Sequence, residues 1–114
     1  MTKVILGYGL SGSFGGIRNY VITEFSENST SLDWDYYAYD LAKEEYESYA
    51  GCHGLDSMED IEEEFPELDP EKDSDELESI YLEQMDSWLE FTSELWTEER
   101  EQFLKQNYDV YYDF

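Results

Sequence analysis

Lys3-Val-Ile-Leu-Gly-Tyr8 and Ile17-Arg-Asn-Tyr-Val-Ile-Thr-Glu-Phe25 are the two stretches on which the reading of this chain turns. Both are dense in β-branched and aromatic residues, which pack well on a pleated surface, so each predicts a strand. Between them lies Gly9-Leu-Ser-Gly-Ser-Phe-Gly-Gly16, too rich in glycine and serine to continue either strand. The pair therefore reads as a β-hairpin with a flexible loop, and residues 1–30 form an N-terminal hairpin unit.

Working outward, Ser26 to Ser31 is a polar break. From Leu32 to Ala50 the apolar positions Leu32, Tyr36, Tyr39, Ala42, Tyr46 and Tyr49 recur at three- and four-residue steps with acids between them, which predicts an amphipathic helix stopped at Gly51. Ser57-Met-Glu-Asp60 has the form of a capping box opening a short helix through Phe65, ended by Pro66. Glu67 to Ser74, with Pro70, reads as a linker. From Asp75 onward Leu77, Ile80, Tyr81, Trp88, Phe91 and Leu95 form one apolar stripe, and Leu82, Leu89, Trp96 and Phe103 a second, predicting one long last helix. The double stripe has two readings: a helix buried between the sheet and the other helices, or a second stripe that meets a partner or another copy, as in a homodimer. At the end Tyr108, Val110, Tyr112 and Phe114 alternate with Asp109, Tyr111 and Asp113, so residues 108–114 predict a third strand joining the hairpin. The expectation is an α+β fold in one domain over residues 1–114: a small antiparallel sheet, made of the N-terminal hairpin and the C-terminal strand, packed with about three acidic helices across residues 31–107.

Charge is the outlying property. Thirty Asp and Glu face six Lys and Arg, a net charge of −24 on 114 residues. Residues 1–30 are neutral, with two acids and two bases, while residues 31–114 hold 28 acids and four bases. Such a chain repels itself and repels phosphate, so nucleic acid and anionic membrane are excluded as direct partners, and a basic protein surface is the natural complement. An aromatic fraction of 18% still argues for a folded chain rather than a disordered acidic one. The single cysteine, Cys52, excludes an internal disulfide framework, and the sequence shows neither a secretory leader nor an apolar run fit to span a bilayer. The expected compartment is the cytoplasm.

Three motifs fall short of the chemistry they suggest. Gly7-Tyr-Gly-Leu-Ser-Gly12 matches a dinucleotide fingerprint, but a second strand follows where a phosphate-binding helix would have to open. Asp69, Glu71, Asp73 and Asp75 are spaced like calcium ligands, yet Ser74 stands where the loop needs glycine and Ile80 where it needs a bidentate glutamate. Cys52 and His53 supply only two soft ligands, and sequence neighbours make a poor nucleophile and base pair. With thirty carboxylates, no pair is distinguished as acid and base. The expectation is no enzyme, no catalytic residue, no metal and no cofactor.

The acids can instead serve as a surface. A helix rises about 1.5 Å per residue, which gives on the order of one carboxylate per 4 Å along the last helix, against one charge per roughly 1.7 Å of duplex DNA. Adding the acids of the two earlier helices brings a shared face near duplex density. On that reading Glu83, Asp86, Glu90, Glu94 and Glu98 of the last helix, with Glu44 and Glu47 of the first, occupy the phosphate sites of a nucleic-acid-binding protein, and Phe14 at the loop tip adds a contact. The alternative is an interaction module that binds through aromatic and glycine-rich surfaces at Phe14, Tyr111 and Tyr112, with the charge incidental.

Gly9-Leu-Ser-Gly-Ser-Phe-Gly-Gly16, followed by Tyr39-Asp-Leu-Ala-Lys-Glu-Glu-Tyr-Glu-Ser-Tyr-Ala-Gly-Cys-His-Gly-Leu55, resembles a group of small acidic bacteriophage proteins of no assigned activity. The likeness covers roughly the first half of the chain and carries no catalytic residues. In size and charge the chain is also similar to phage DNA-mimic proteins that block restriction enzymes, CRISPR effectors or nucleoid proteins. Together these imply a stoichiometric anti-defence inhibitor whose partner is a basic host protein, such as a defence nuclease, in the cytoplasm of the infected bacterium.

Overall fold

Val4, Ile5 and Leu6 are consecutive and all fully buried. Successive strand residues point to opposite faces, so a strand buried this way must lie inside a sheet that is covered on both sides. The structure, a computed structural model, describes residues 1–114, the side chain of Ser13 excepted, and has that arrangement. β1 (Thr2–Leu10) and β2 (Gly16–Phe25) form the expected antiparallel hairpin, with Val4 opposite Thr23 and Leu6 opposite Val21. The loop between them makes one 3-10 turn at Gly12–Phe14, and positive φ of 80° at both Gly15 and Gly16 turns the chain back into β2.

Two further strands complete the sheet in the order β3-β1-β2-β4. β3 (Leu89–Leu95) runs antiparallel to β1, and β4 (Asp109–Asp113) runs parallel to β2. The α+β class stands, and the C-terminal residues do form a strand beside the hairpin. The sheet, however, is four-stranded and mixed rather than three-stranded and antiparallel.

One face of the sheet is covered by α1 (Ser31–Tyr49), whose Ala38 packs on Val4 and Leu6 with Phe25, Trp34 and Leu41 around them. The first turn of α1 is closed by Asp33, whose carboxylate accepts the Thr30 N–H at 2.9 Å. The opposite face is covered by α4 (Glu98–Asn107), whose Leu104 lies among Ile5, Tyr20 and Ile22. Because β3 and β4 sit at opposite edges, the connection through α4 crosses over β1 and β2. α2 (Met58–Glu64) and α3 (Ser74–Asp86) lie outside the sheet. They join it through a cluster in which Tyr46 of α1, Leu55 and Met85 of α3 surround Leu10 at the end of β1.

The long last helix does not exist. α3 ends where the Ser87 N–H is shared between Glu83 and Gln84 carbonyls, and the Trp88 N–H bonds back to the Met85 carbonyl at 2.9 Å, a tightened final turn. The residues that extended the helical stripes, Leu89, Phe91 and Leu95, are equally the odd positions of a period-two pattern, with Glu90, Thr92 and Glu94 between them. β1 needed a second neighbour, and that demand outweighed the helical pattern. A new helix then opens at Thr97, whose hydroxyl accepts the Arg100 N–H. Trp96 and Phe103 consequently belong to different segments, so the seven-residue stripe offers no seam for a second copy.

The molecule is elongated, measuring 53 × 32 × 18 Å between its Cα extremes. Its radius of gyration is 16.7 Å, against about 13 Å for a compact chain of this length. No helix among the described residues is long and apolar enough to cross a membrane.

Candidate partner-binding surface

Residues 33–86 contain 21 acids and only two lysines, Lys43 and Lys72. Among the described residues none of these acids forms an ion pair; the ion pairs of the molecule are Met1 with Glu27, Glu94 with Arg100, and Glu101 with Lys105. Hydrogen bonding divides the 21 by type. Asp33 and Asp60 close the first turns of α1 and α2, and Asp69 and Asp73 accept backbone N–H groups in the loop before α3. Asp35 takes the Ser93 hydroxyl, Asp56 the Gln84 amide and Asp86 the Tyr39 hydroxyl. Among the described residues, every side-chain carboxylate in this stretch that accepts a hydrogen bond belongs to an aspartate.

Among the described residues, no carboxylate of the twelve glutamates in the same stretch accepts one. The physical reason is reach. A short Asp side chain bends back to its own backbone and caps turns, whereas Glu carries its carboxylate one methylene further into solvent. Ten of the twelve are exposed, and Glu45 and Glu62 are half-buried. Seven of the nine aspartates hold the scaffold, and the glutamates are left to act outward.

Ten of these glutamates lie on α1, α2 and α3, and the three helices enclose a groove of about 300 Å³. Leu77, Tyr81 and Leu82 contribute apolar wall, Glu47, Glu62 and Glu78 carry the charge, and Lys43 is the one cation lining it. A lysine or arginine from a partner fits such a place, because its aliphatic stem finds apolar wall and its head finds carboxylates.

Of the residues predicted to touch a partner, Glu44 and Glu47 lie exposed on α1 and Glu83 lies exposed on α3. Glu90 and Glu94 are on β3, and Glu98 is in the first turn of α4. They do not follow Glu83 and Asp86 along one helix. Glu94 is held by the Arg100 guanidinium at 2.9 Å, and Asp86 by the Tyr39 hydroxyl at 2.8 Å. Phe14 is not a free loop tip. Its ring packs 5.5 Å from Tyr49, 6.0 Å from His53 and 6.4 Å from Trp88, fixing the glycine-rich loop to the end of α1. His53 itself has a positive φ of 56° in the turn between Gly51 and Gly54.

No known protein family matches this chain, and comparison with curated proteins and with solved structures finds no similar one.

Glu62 and Glu78 were not singled out from the sequence as contacts. The available signal was the separation of capping aspartates from unemployed glutamates, which the capping box at Ser57 and Asp60 already displays. The acidic surroundings also mark the tyrosines. Burial, and after it the Asp86 hydrogen bond, raises the Tyr39 phenol to about 12. Tyr46, fully buried, is raised to about 12 by desolvation first and then by Tyr81 and Asp56. Tyr8, on the α1 face of the sheet, is raised by burial and then by Glu45, Tyr111 and Glu44.

Proposed function

We propose that this protein is a stoichiometric inhibitor that occupies the phosphate-binding cleft of a basic, nucleic-acid-binding protein. The observation that carries the reading is the set of twelve glutamates between residues 44 and 83 whose carboxylates, among the described residues, make neither ion pair nor hydrogen bond. A charge of −24 along a 53 Å axis amounts to about one net charge per 2.2 Å, close to the roughly 1.7 Å spacing of duplex DNA. The same axis spans about 15 base pairs at about 3.4 Å each. The density comes from helices gathered side by side rather than from one continuous helix. Carboxylates fixed on a folded scaffold bind without the ordering cost of a flexible acidic tail, and they steer encounter with a cationic cleft. In support of a bacterial target, such as a nucleoid protein or a defence nuclease, stands only the resemblance of Gly9–Gly16 and Tyr39–Leu55 to small bacteriophage proteins. The action is binding without turnover.

The deciding experiment is capture from bacterial lysate on the immobilised protein, at low and high salt, with duplex DNA as competitor. Capture of a nucleic-acid-binding protein that salt and DNA both release is the expected result. Replacing Glu47, Glu62 and Glu78 together by Gln then weakens capture by about tenfold or more at low salt, and by less at high salt. A partner retained through salt and DNA alike would overturn mimicry. That outcome favours a second reading with its own support: Tyr108, Tyr112 and Phe114 are 40%, 49% and 67% exposed on one face in and beside β4, an aromatic strip for a partner that ignores charge.

A further inference from the structure

β3 is an edge strand, and two hydrogen bonds fix which of its backbone groups are left over. The Ser11 N–H bonds to the Trp88 carbonyl at 2.9 Å and the Trp96 N–H to the Lys3 carbonyl at 3.0 Å, so the even-numbered residues of this antiparallel ladder are the ones that bond to β1. The N–H and C=O groups of Leu89, Phe91, Ser93 and Leu95 therefore point to the open side. The side chains of these same four residues fall on the face covered by α1.

On that face α1 reaches past the strand. Leu32, Tyr36, Tyr39 and Phe91, with Asp35, line a shallow groove of about 350 Å³. Leu32, Tyr36 and Leu95 are 62%, 65% and 60% exposed. An apolar shelf beside a row of unpaired backbone groups is the geometry that accepts an added strand.

Charge selects the occupant. Glu90 and Glu94 project from the other face of β3; Glu94 is engaged by Arg100, and among the described residues Glu90 forms no ion pair. A second copy of the chain would bring its own −24 and set another Glu90 and Glu94 along the same strip, where like charges on paired strands repel. We infer that the β3 edge binds an extended segment of a partner protein in which apolar residues alternate with Lys or Arg. Its apolar side chains lie on the shelf of Leu32, Tyr36 and Phe91, and its cations lie toward Glu90, since Glu94 is taken by Arg100. This site is separate from the groove between α1, α2 and α3, so it can stand if the mimicry reading falls, and the reverse.

The test is hydrogen exchange followed by NMR on the full chain, with and without a synthetic peptide of about nine residues alternating lysine with valine, long enough to cover β3. Free protein exchanges quickly at the Phe91, Ser93 and Leu95 amides and slowly at Glu90, Thr92 and Glu94. The peptide slows the odd-numbered set, and a version with glutamate for lysine does not. Tyr36→Lys and Glu90→Lys, both at exposed positions, each weaken the peptide by about tenfold, whereas Glu63→Lys on α2 changes it less than about twofold at physiological ionic strength. Absence of protection at the odd amides overturns the inference. So does an equal loss in Glu63→Lys, which would mean diffuse attraction, and so does protection that grows with protein concentration alone, which would make a second copy the occupant.

Discussion

Gly7 sits under the ring of Tyr20 and beside Thr92, and a Cβ placed there would come within 2.7 Å of the Thr92 hydroxyl and 2.8 Å of the Tyr20 ring. Both neighbours belong to strands flanking β1, so neither can move without loosening the sheet. Gly7→Ala is expected to cost about 2 kcal/mol, read as a lower urea midpoint with an unchanged slope. Tyrosine ionisation supplies a second expectation at this scale. The Tyr39 and Tyr46 phenols are raised from 10.0 to about 12. Groups raised on folding contribute stability below their unfolded value and lose it as pH climbs through the folded one. Alkaline unfolding between pH 10 and 12 should therefore coincide with a late rise in tyrosinate absorbance. Glu101 has the opposite sign. The Trp96 indole N–H, bonded to it at 2.7 Å, holds its carboxyl below 4.5, with Lys105 and Tyr112 adding to the effect. Its contribution is present above about pH 4.5 and lost as pH falls through the lowered value. Glu101→Gln is expected to cost about 1 kcal/mol at neutral pH and much less in acid, measured by thermal melts at the two pH values.

At the scale of elements, the helix caps are where sequence and structure agree most closely. The Ser57 hydroxyl accepts the Asp60 N–H while the Asp60 carboxylate accepts the Ser57 N–H, so Ser57→Ala should remove about 1 kcal/mol and lower the helical circular dichroism signal. Such a signal is local, four residues long, and survives any tertiary context. The hairpin was legible for the same reason, as was α1, whose stripe at Ala38, Ala42 and Tyr46 is the side buried against the sheet. Leu89 to Leu95 was not legible from its own pattern, because seven residues fit a period of two and a period of 3.6 about equally well. What distinguishes them lies far away in sequence: Val4, Ile5 and Leu6, apolar on both faces, require a strand on each side of β1. The acidic surface was legible in composition but not in placement. Glu90, Glu94 and Glu98 were assigned to a helical rod, and a strand and a fresh N-cap put them elsewhere.

For the whole molecule, −24 is a standing destabilisation. Because so few of the acids are paired, monovalent salt should raise the melting temperature steadily between low and physiological ionic strength, the reverse of a protein held together by surface ion pairs. A flat or falling dependence would show that the glutamates do not feel one another. The route from β3 through α4 to β4 also governs time. β1 and β2 meet across a short loop, but β3 must find β1 from more than eighty residues away, since Leu95 pairs with Val4. Loop closure of that length is slow to arrange and is rewarded only once it is complete. The hairpin and α1 are then expected to be the folding nucleus, with β3 and β4 arriving after the barrier. Val4→Ala should slow refolding, whereas Leu95→Ala should leave refolding untouched and hasten unfolding, a division that the two arms of a chevron plot separate. An edge that forms last is expected to let go first, so the opening rate of β3 sets how long that side stays formed.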